Sequence, residues 1–470
     1  MDSQPDQPDQ HRPTASPGGG RPAREPSLNR QILALAVPAF GALIAEPLFI
    51  LADSAIVGHL GTPQLAGLSV AATVVQTVIG LMVFLSYSTT PAVARFFGAR
   101  NLPAAYEKGR DGLWVGLGLG VVIAVALWAL AEPLLRGLGA RGEALGYGVE
   151  YLRWSMPGLP GMLLVLAAVG ILRGLQDTRT PLYVAGAGAV VNVGLNYLLV
   201  FPLGLGVAGS ALGTSLVQWG MAAVYLLLVA RGCREHGVGL FATTPARLGA
   251  ILRVGSWLML RTLSMRVALL VTVFVVTSQG STNLAAYQIV MAFFSFLAFA
   301  LDALAIAAQA LLGKEMGARD MRAEEGRRHV RRLMGRLVRW SLGFGVVTGL
   351  LCPLVGFGLG WVFTADPQVQ HLFAIALLVV AVGQPLASYV FILDGVLIGA
   401  QDVRYLAVAS FIALVGYLPM LVGVYLMSGG AGDVDPAGFV WLWVAYAVGY
   451  MGLRGVTLGL RARTDVWIRG

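Results

Sequence analysis

The residue of this sequence that could do chemistry is a carboxylate inside a long apolar segment. Asp53 lies between two apolar stretches, residues 49–52 and 55–57. A charge in hydrocarbon is costly and usually faces a cavity or a partner, and transfer out of water disfavours the charged form of a carboxylate. Asp53 could therefore take up and release a proton, or it could be a static group satisfied by helix ends or a buried arginine.

A second carboxylate precedes the first by about two helical turns, so one helix would carry both on one face. This residue is Glu46, and Pro38 and Pro47 fall in the same segment. A proline removes a backbone hydrogen bond and can kink a helix. The segment is either a bending element with two titratable groups or a helix with ordinary static kinks.

Two pairs of polar residues recur at helical spacing further along the chain. Asn192 and Asn196 are four residues apart, as are Thr214 and Gln218, so each pair shares a helix face. Buried amides and hydroxyls can simply join neighbouring helices. The alternative is a hydrogen-bond network that tunes Asp53.

The composition defines the elements that must position these groups. Hydrophobic residues make up 57% of the 470 residues and charged residues 12%, with a mean hydropathy of +0.74; a soluble domain carries about 25% charged residues. Apolar runs of about 20 residues predict membrane helices and not barrel strands. We therefore expect an all-α integral membrane protein. The predicted spans lie near 31–57, 65–90, 111–131, 148–172, 181–201, 207–230, 252–277, 284–311, 337–362, 370–397, 405–427 and 438–460.

The two halves of the chain repeat each other. At an offset of 219 residues, Arg95 and Gly98 recur as Lys314 and Gly317; further on the offset becomes 225. Six spans per half means that both halves enter the membrane from the same side, so the repeats are parallel. Duplication of this kind is common in secondary transporters, whose site lies between or within the halves.

The polar residues do not obey the repeat. Asp53 corresponds to Thr272 and Asn192 to Tyr417, so the set of carboxylate and amide belongs to the first half.

The second half carries its own charged residues inside predicted spans. Arg261 and Asp302 should lie at similar depth, and we expect them to form a structural ion pair, with a substrate role as the alternative. Arg266 and Asp394 are the other charged candidates.

Arginine and lysine residues predict the orientation. They concentrate in the tail and in the loops after even-numbered spans, most densely over 314–339, which predicts that both termini are cytoplasmic. The net charge of +9 is then a topological signal and not a sign of nucleic-acid binding. Cys233 and Cys352 suggest neither a disulfide nor a metal site. The expected divisions are a disordered cytosolic tail (1–28), a first lobe (29–230), a cytosolic linker (231–250), a second lobe (251–462) and a C-terminal tail (463–470).

Several motifs together resemble a known family. Ala45-Glu46-Pro47-Leu48, Asp53 and the run from Ala55 to Gly61 look like the first-span signature of the multidrug and toxic compound extrusion (MATE) transporters, DinF-like branch. Leu172-Arg173-Gly174-Leu175-Gln176-Asp177 is similar to the motif before the fifth span, and Leu393-Asp394-Gly395 resembles its partner before the eleventh. The resemblance covers about residues 30–465.

The resemblance implies two lobes of six helices arranged in a V around a central cleft, with export by proton or sodium antiport. It implies that Asp53 accepts the coupling proton, that the first helix bends at Pro38, and that Asn192 and Thr214 belong to a first-lobe network. The chain departs from archaeal-type relatives at Asn196, where they have an aspartate, and at Glu46, where they have a glutamine. We therefore expect Glu46 and Asp53 to share the titratable role.

The expected function is export of amphipathic or cationic compounds across the inner (plasma) membrane by proton antiport, with no cofactor and no enzymatic activity. We expect a monomer that is embedded in the lipid bilayer and binds small organic cations or amphipathic compounds. One alternative is sodium-coupled antiport; sodium-driven branches of the family place a carboxylate in the seventh span, and residues 252–277 contain none. The other is a flippase for lipid-linked precursors, which would need a cationic cavity for a pyrophosphate; Arg261 and Arg266 leave this open, but the acidic first lobe disfavours it. An enzyme acting on lipid would need a cluster of catalytic residues at a membrane face, and the sequence suggests none. Candidate cavity residues are Phe49, Tyr197, Gln288, Phe293 and Tyr389.

Overall fold

The computed structural model describes residues 27–428 and 435–469, which are almost entirely helical. Twelve segments within those residues are long and apolar enough to cross a membrane, as the sequence predicts. The helices are α1 (Leu28–Gly58), α2 (Thr62–Met82), α3 (Phe84–Gly98), α4 (Leu102–Gly137), α5 (Gly142–Ser155), α6 (Leu159–Gly174), α7 (Arg179–Val200), α8 (Gly206–Glu235), α9 (Pro245–Ser278), α10 (Ser281–Ala318), α11 (Glu324–Gly358), α12 (Gly360–Phe363), α13 (Pro367–Gly399), α14 (Val403–Met427), α15 (Pro436–Val444), α16 (Met451–Arg463) and α17 (Val466–Arg469).

Three spans are built from two helices each. The second span joins α2 to α3 at Val83, and the fourth joins α5 to α6 through a 3₁₀ turn, Met156–Gly158. Pro157 lies in that turn, where its missing N–H group and fixed φ disfavour a continuous α-helix. The twelfth span passes from α15 to α16 through a π-helical turn, Ala445–Tyr450.

Successive spans alternate in direction because short loops join them. We call the face at which α1 begins and α3, α6, α8 and α10 end the tail side, and the opposite face the far side. Asp53 lies five residues before the end of α1 and therefore near the far side.

The repeat seen in the sequence is also a repeat in packing. In the first half Gly170 of α6 lies against Ser86 of α3, and in the second half Gly395 of α13 lies against Ala305 of α10. These residues are related by offsets of 225 and 219. Close approach of the helices needs glycine there, because a Cβ atom on either residue would come within 3.0 Å of the neighbouring backbone.

Two boundaries differ from the sequence expectations because helices continue past the apolar core. The linker between the halves spans only 236–244, since α8 extends to Glu235 and α9 begins at Pro245. The basic segment 314–339 is largely helical, since α10 ends at Ala318 and α11 begins at Glu324. The expected disordered tail lies outside the described residues except for its last two positions.

Candidate functional site

Asp53 is a buried carboxylate on the wall of a cavity in the first lobe. Its side chain is 6% exposed, and α1 packs there against α7 and α8. The cavity has a volume of about 240 Å³ and is lined mainly by apolar side chains. Sites of this type, mostly apolar with a few convergent polar groups, are typical of small-molecule binding.

Three donors from three different helices converge on the Asp53 carboxylate. The Asn196 amide of α7 donates to Oδ1. The Tyr151 hydroxyl of α5 donates to Oδ2 at 3.3 Å, and the Thr214 hydroxyl of α8 donates to the same oxygen at 3.2 Å. A carboxylate that accepts several hydrogen bonds is stabilised in its charged form, so this arrangement suits an ionised Asp53.

A second ring of polar contacts supports the first. The Asn192 side-chain amide donates from Nδ2 to the Thr214 hydroxyl at 2.9 Å, and its Oδ1 atom accepts from Asn196 Nδ2 at 3.3 Å. Both asparagines are fully buried. The structure therefore brings Asp53, Asn192, Asn196 and Thr214 together, which is the geometry of the second of the two alternatives that the spacing left open.

The polar groups that line the cavity are spread along its length. Tyr151 lies 22 residues before Arg173 on the same span, which is about 33 Å along helices that rise about 1.5 Å per residue. The cavity is thus elongated, with Asp53 near the far side and Arg173 towards the tail side. The other polar lining residues are Ser54, Gln76, Ser86, Tyr87, Thr214, Gln218 and Tyr225.

The equivalent place in the second half contains a neutral pair. Thr272 and Tyr417, which correspond to Asp53 and Asn192, share a hydrogen bond of 2.8 Å between their hydroxyl groups. In the second half these two positions therefore meet through neutral hydroxyl groups, whereas the first half has a carboxylate at the position of Thr272.

A separate ionic cluster lies in the second lobe, and here one sequence expectation is wrong. Arg261 does not pair with Asp302; its guanidinium binds Asp394 of α13 at 2.5 Å. Arg454 of α16 binds the same carboxylate oxygen, Oδ2. The packing of α10 and α13 decides which acid binds Arg261. Spacing along the sequence does not predict which neighbouring helix comes close.

Of the five candidate cavity residues, one lines this cavity. Phe49 is on its wall, whereas Gln288, Phe293 and Tyr389 belong to second-lobe helices and do not line it. Tyr197 is 58% exposed on the outer surface and packs against Phe201. Adjacent helical residues differ by about 100° in direction, so Tyr197 points away from the site that Asn196 faces.

The expected roles of Glu46, Pro38 and Pro47 remain predictions. The side chain of Glu46 lies outside the described part of the chain. Both prolines lie inside α1, which is helical throughout Leu28–Gly58.

Sequence reasoning missed two functional candidates. Tyr151 carries a hydroxyl within a predicted span, and Arg454 is an ionisable residue within the twelfth; each was a visible signal of a buried partner. The partners themselves, Asp53 and Asp394, come from distant parts of the chain.

A model of the MatE family matches residues 38–198 and 258–422, one segment in each half. "Protein DETOXIFICATION 44, chloroplastic" of Arabidopsis thaliana is 30% identical over 426 residues, covering 87% of this chain and 78% of the relative. "DNA damage-inducible protein F" of Escherichia coli is 27% identical over 436 residues, covering 92% of this chain and 91% of the relative. "Probable multidrug resistance protein NorM" of Thermotoga maritima is 24% identical over 395 residues, covering 83% and 84%.

Solved structures share the fold. One described as "Crystal structure of MATE in the bent conformation" aligns with a TM-score of 0.82 at 22% identity, over 93% of this chain and 94% of that chain. Another, "Outward-facing conformation of a multidrug resistance MATE family transporter of the MOP superfamily", aligns with a TM-score of 0.79 at 22% identity, over 92% and 94%.

Proposed function

We propose that this chain, which belongs to the MatE family of multidrug and toxic compound efflux transporters, exports amphipathic and cationic compounds by proton antiport with Asp53 as the coupling acid. Membership of the family makes the protein a multi-pass membrane transporter and not an enzyme. The coupling ion, the role of Asp53 and the bending of α1 are the parts that we add.

The observation that carries the proposal is the set of donors around Asp53. Tyr151, Thr214 and Asn196 all donate to the carboxylate. The Oδ2 atom already accepts two hydrogen bonds, so protonation of that oxygen requires Tyr151 or Thr214 to turn away. Asn196 Oδ1 is buried without a partner among the described residues, so rotation of the amide would offer a protonated Asp53 an acceptor.

This chemistry links proton uptake to the shape of the cavity. A charged Asp53 attracts a cation into the first lobe, and a proton arriving from the far side cancels that attraction. The rearranged donors belong to α5, α7 and α8, which form the cavity wall around α1. We propose that α1 then bends at Pro38, narrows the cavity and releases the substrate.

The neutral second half supports the assignment of Asp53. Thr272 and Tyr417 join α9 and α14 through their hydroxyl groups, so a carboxylate is not needed to hold such helices together. We propose that Glu46 shares the titratable role, since it lies on the same helix two turns earlier.

The test is transport of a fluorescent cation, ethidium, in proteoliposomes under either a pH gradient or a sodium gradient. Wild type is compared with Asp53→Asn and Glu46→Gln, and Thr272→Ser serves as a control that keeps a hydroxyl at the equivalent position. We expect transport driven by the pH gradient, lost in Asp53→Asn and retained in Thr272→Ser. Transport driven by sodium alone, or undiminished in Asp53→Asn, would contradict the proposal and direct attention to Glu46 and Asp394.

A further inference from the structure

We propose that Arg173 forms an anion-binding subsite at the tail-side end of the first-lobe cavity, and that the transporter accepts amphipathic compounds that carry a carboxylate. This inference rests on the proposed export function and defines its substrates more closely. It concerns the end of the cavity remote from Asp53.

Arg173 is a buried cation that faces the cavity without a direct acidic partner. It lines the cavity and is 7% exposed. Among the described residues its guanidinium forms one hydrogen bond, from Nη1 to the Ser86 hydroxyl at 3.4 Å, and its Nε atom is buried without any partner. A buried guanidinium normally satisfies its five donors, so this one has donors to spare for a ligand.

The surroundings of Arg173 supply further donors. Tyr87 and Tyr225 also line the cavity, close enough to Arg173 to interact with it through space. Neither hydroxyl is hydrogen-bonded within the part of the chain that the structure describes. A guanidinium with two free phenol hydroxyls presents donors and no carboxylate at contact distance, which is the chemistry that a carboxylate or similar anion needs.

No acid in the described part of the chain neutralises Arg173 by direct contact. Arg261 and Arg454 both bind Asp394, and Asp302 acts on Arg173 only through space, without an ion pair between them among the described residues. The donors of Arg173 therefore stay available to an anion.

Helix packing does not require this arginine. A cation in the last turn of α6 interacts favourably with the helix dipole, yet the corresponding position of α13 carries Ile398, which is buried at 2% exposure. Ser86 and Tyr87 likewise correspond to Ala305 and Ile306. The second half therefore packs the same helices with apolar residues, and the polar group belongs to the cavity of the first half alone.

The cavity is too long for a compact ligand to contact both of its ends. Asp53 and Arg173 lie near opposite ends of the cavity, so a ligand whose carboxylate is bound by Arg173 would place its apolar body against the cavity wall between them. Approach of a cation or proton to Asp53 would remain free.

Two fluorescent dyes that differ in one group provide the test. Rhodamine 123 is a methyl ester with a positive charge, and rhodamine 110 is the same ring system with a free carboxylate. Initial rates of transport into proteoliposomes are measured over a range of dye concentrations for wild type, Arg173→Gln and Arg173→Lys. Arg95→Gln is the matched control, since Arg95 is a half-buried arginine near the tail-side end of α3 that does not line the cavity.

We expect wild type to transport both dyes and Arg173→Gln to lose about tenfold or more in kcat/KM for rhodamine 110, the loss of one charge-assisted hydrogen bond. Transport of rhodamine 123 should change by less than about threefold. Arg173→Lys should recover part of the loss, and Arg95→Gln should treat both dyes alike.

Equal losses for the two dyes in Arg173→Gln, or transport of rhodamine 123 without rhodamine 110 by wild type, would overturn the anion subsite and leave the export function standing. Transport of neither dye under any gradient would instead overturn the proposed function. If Arg173→Gln does not fold, Tyr225→Phe provides the second variant, with a selective loss for rhodamine 110 as the expected result and an equal effect on both dyes as the contrary one.

Discussion

Gly98 and Gly317, which occupy the same position in the two repeats, each lie directly against a backbone carbonyl of the opposite lobe. A Cβ atom on Gly98 would come within 1.9 Å of the Lys314 carbonyl oxygen, and one on Gly317 within 1.7 Å of the Arg95 carbonyl oxygen. The two helices α3 and α10 thus meet at their tail-side ends through mutual glycine contacts. The close contact between the lobes on the tail side therefore depends on glycine, which has no side chain, at both positions.

Replacement of either glycine by alanine should separate the lobes on the tail side. We expect Gly98→Ala and Gly317→Ala to lower transport about tenfold, because backbone cannot move aside as a flexible side chain can. A cysteine at Ala94, which is buried near Gly313 at this contact, should react faster with a membrane-impermeant maleimide in these variants than in the parent.

The reactivity measurement uses a chain from which the two buried native cysteines have been removed. Gly118→Ala is the control, since a Cβ atom there would meet nothing within 4 Å. Unchanged transport and unchanged labelling in Gly98→Ala would show that this contact is not needed to hold the lobes together on the tail side.

Gly213 controls the position of the Asn196 amide. A Cβ atom at Gly213 would lie 2.0 Å from Asn196 Oδ1, so Gly213→Ala should push the amide away from Asp53. We expect a loss of proton-driven ethidium transport comparable to that of Asn196→Leu, with the protein still folded. The matched control is Gly220→Ala on the same helix, where a Cβ atom has open space. Similar rates for both alanine variants would exclude a role for the amide position.

The sequence alone predicted the number of spans and the internal repeat, because hydropathy and self-similarity are local properties of the chain. The four-residue spacing of Asn192 and Asn196 showed that they share a helix face, and the family resemblance suggested that this face meets Asp53. Tyr151 escaped prediction because its contact with Asp53 bridges 98 residues of sequence. A single helix shows which residues share a face, but not which helix that face meets.

The prediction that Arg261 pairs with Asp302 was wrong for the same reason. Arg261 lies within reach of two acids in adjacent helices, and only the packing of α9, α10 and α13 selects Asp394. Tyr197 was misplaced for a different reason, since a one-residue step rotates a side chain by about 100° and the face could be fixed only through Asn196.

Asp394 should matter more for stability than Asp302. It neutralises two buried arginines, Arg261 and Arg454, and its removal would leave both without a direct counter-charge. Breaking a buried ion pair costs about 3–5 kcal/mol. We therefore expect Asp394→Asn to lower the midpoint of thermal unfolding in detergent well below that of wild type, with Asp302→Asn close to wild type. Equal midpoints for the two variants would contradict the assignment of Asp394 as the compensating charge.

The hydroxyl pair of the second half should be structural, in contrast to its counterpart in the first. Tyr417→Phe removes the hydrogen bond to Thr272 while keeping the ring, and should cost about 0.5–1.5 kcal/mol of stability with ethidium transport close to wild type. Asn192→Leu at the equivalent position removes the donor to Thr214 and should lower transport about tenfold, the effect of one net hydrogen bond in the coupling network. Transport rates and unfolding midpoints are measured on the same preparations. If Tyr417→Phe reduced proton-driven transport as much as Asn192→Leu, the second half would share in coupling, and the restriction of the titratable site to the first lobe would be wrong.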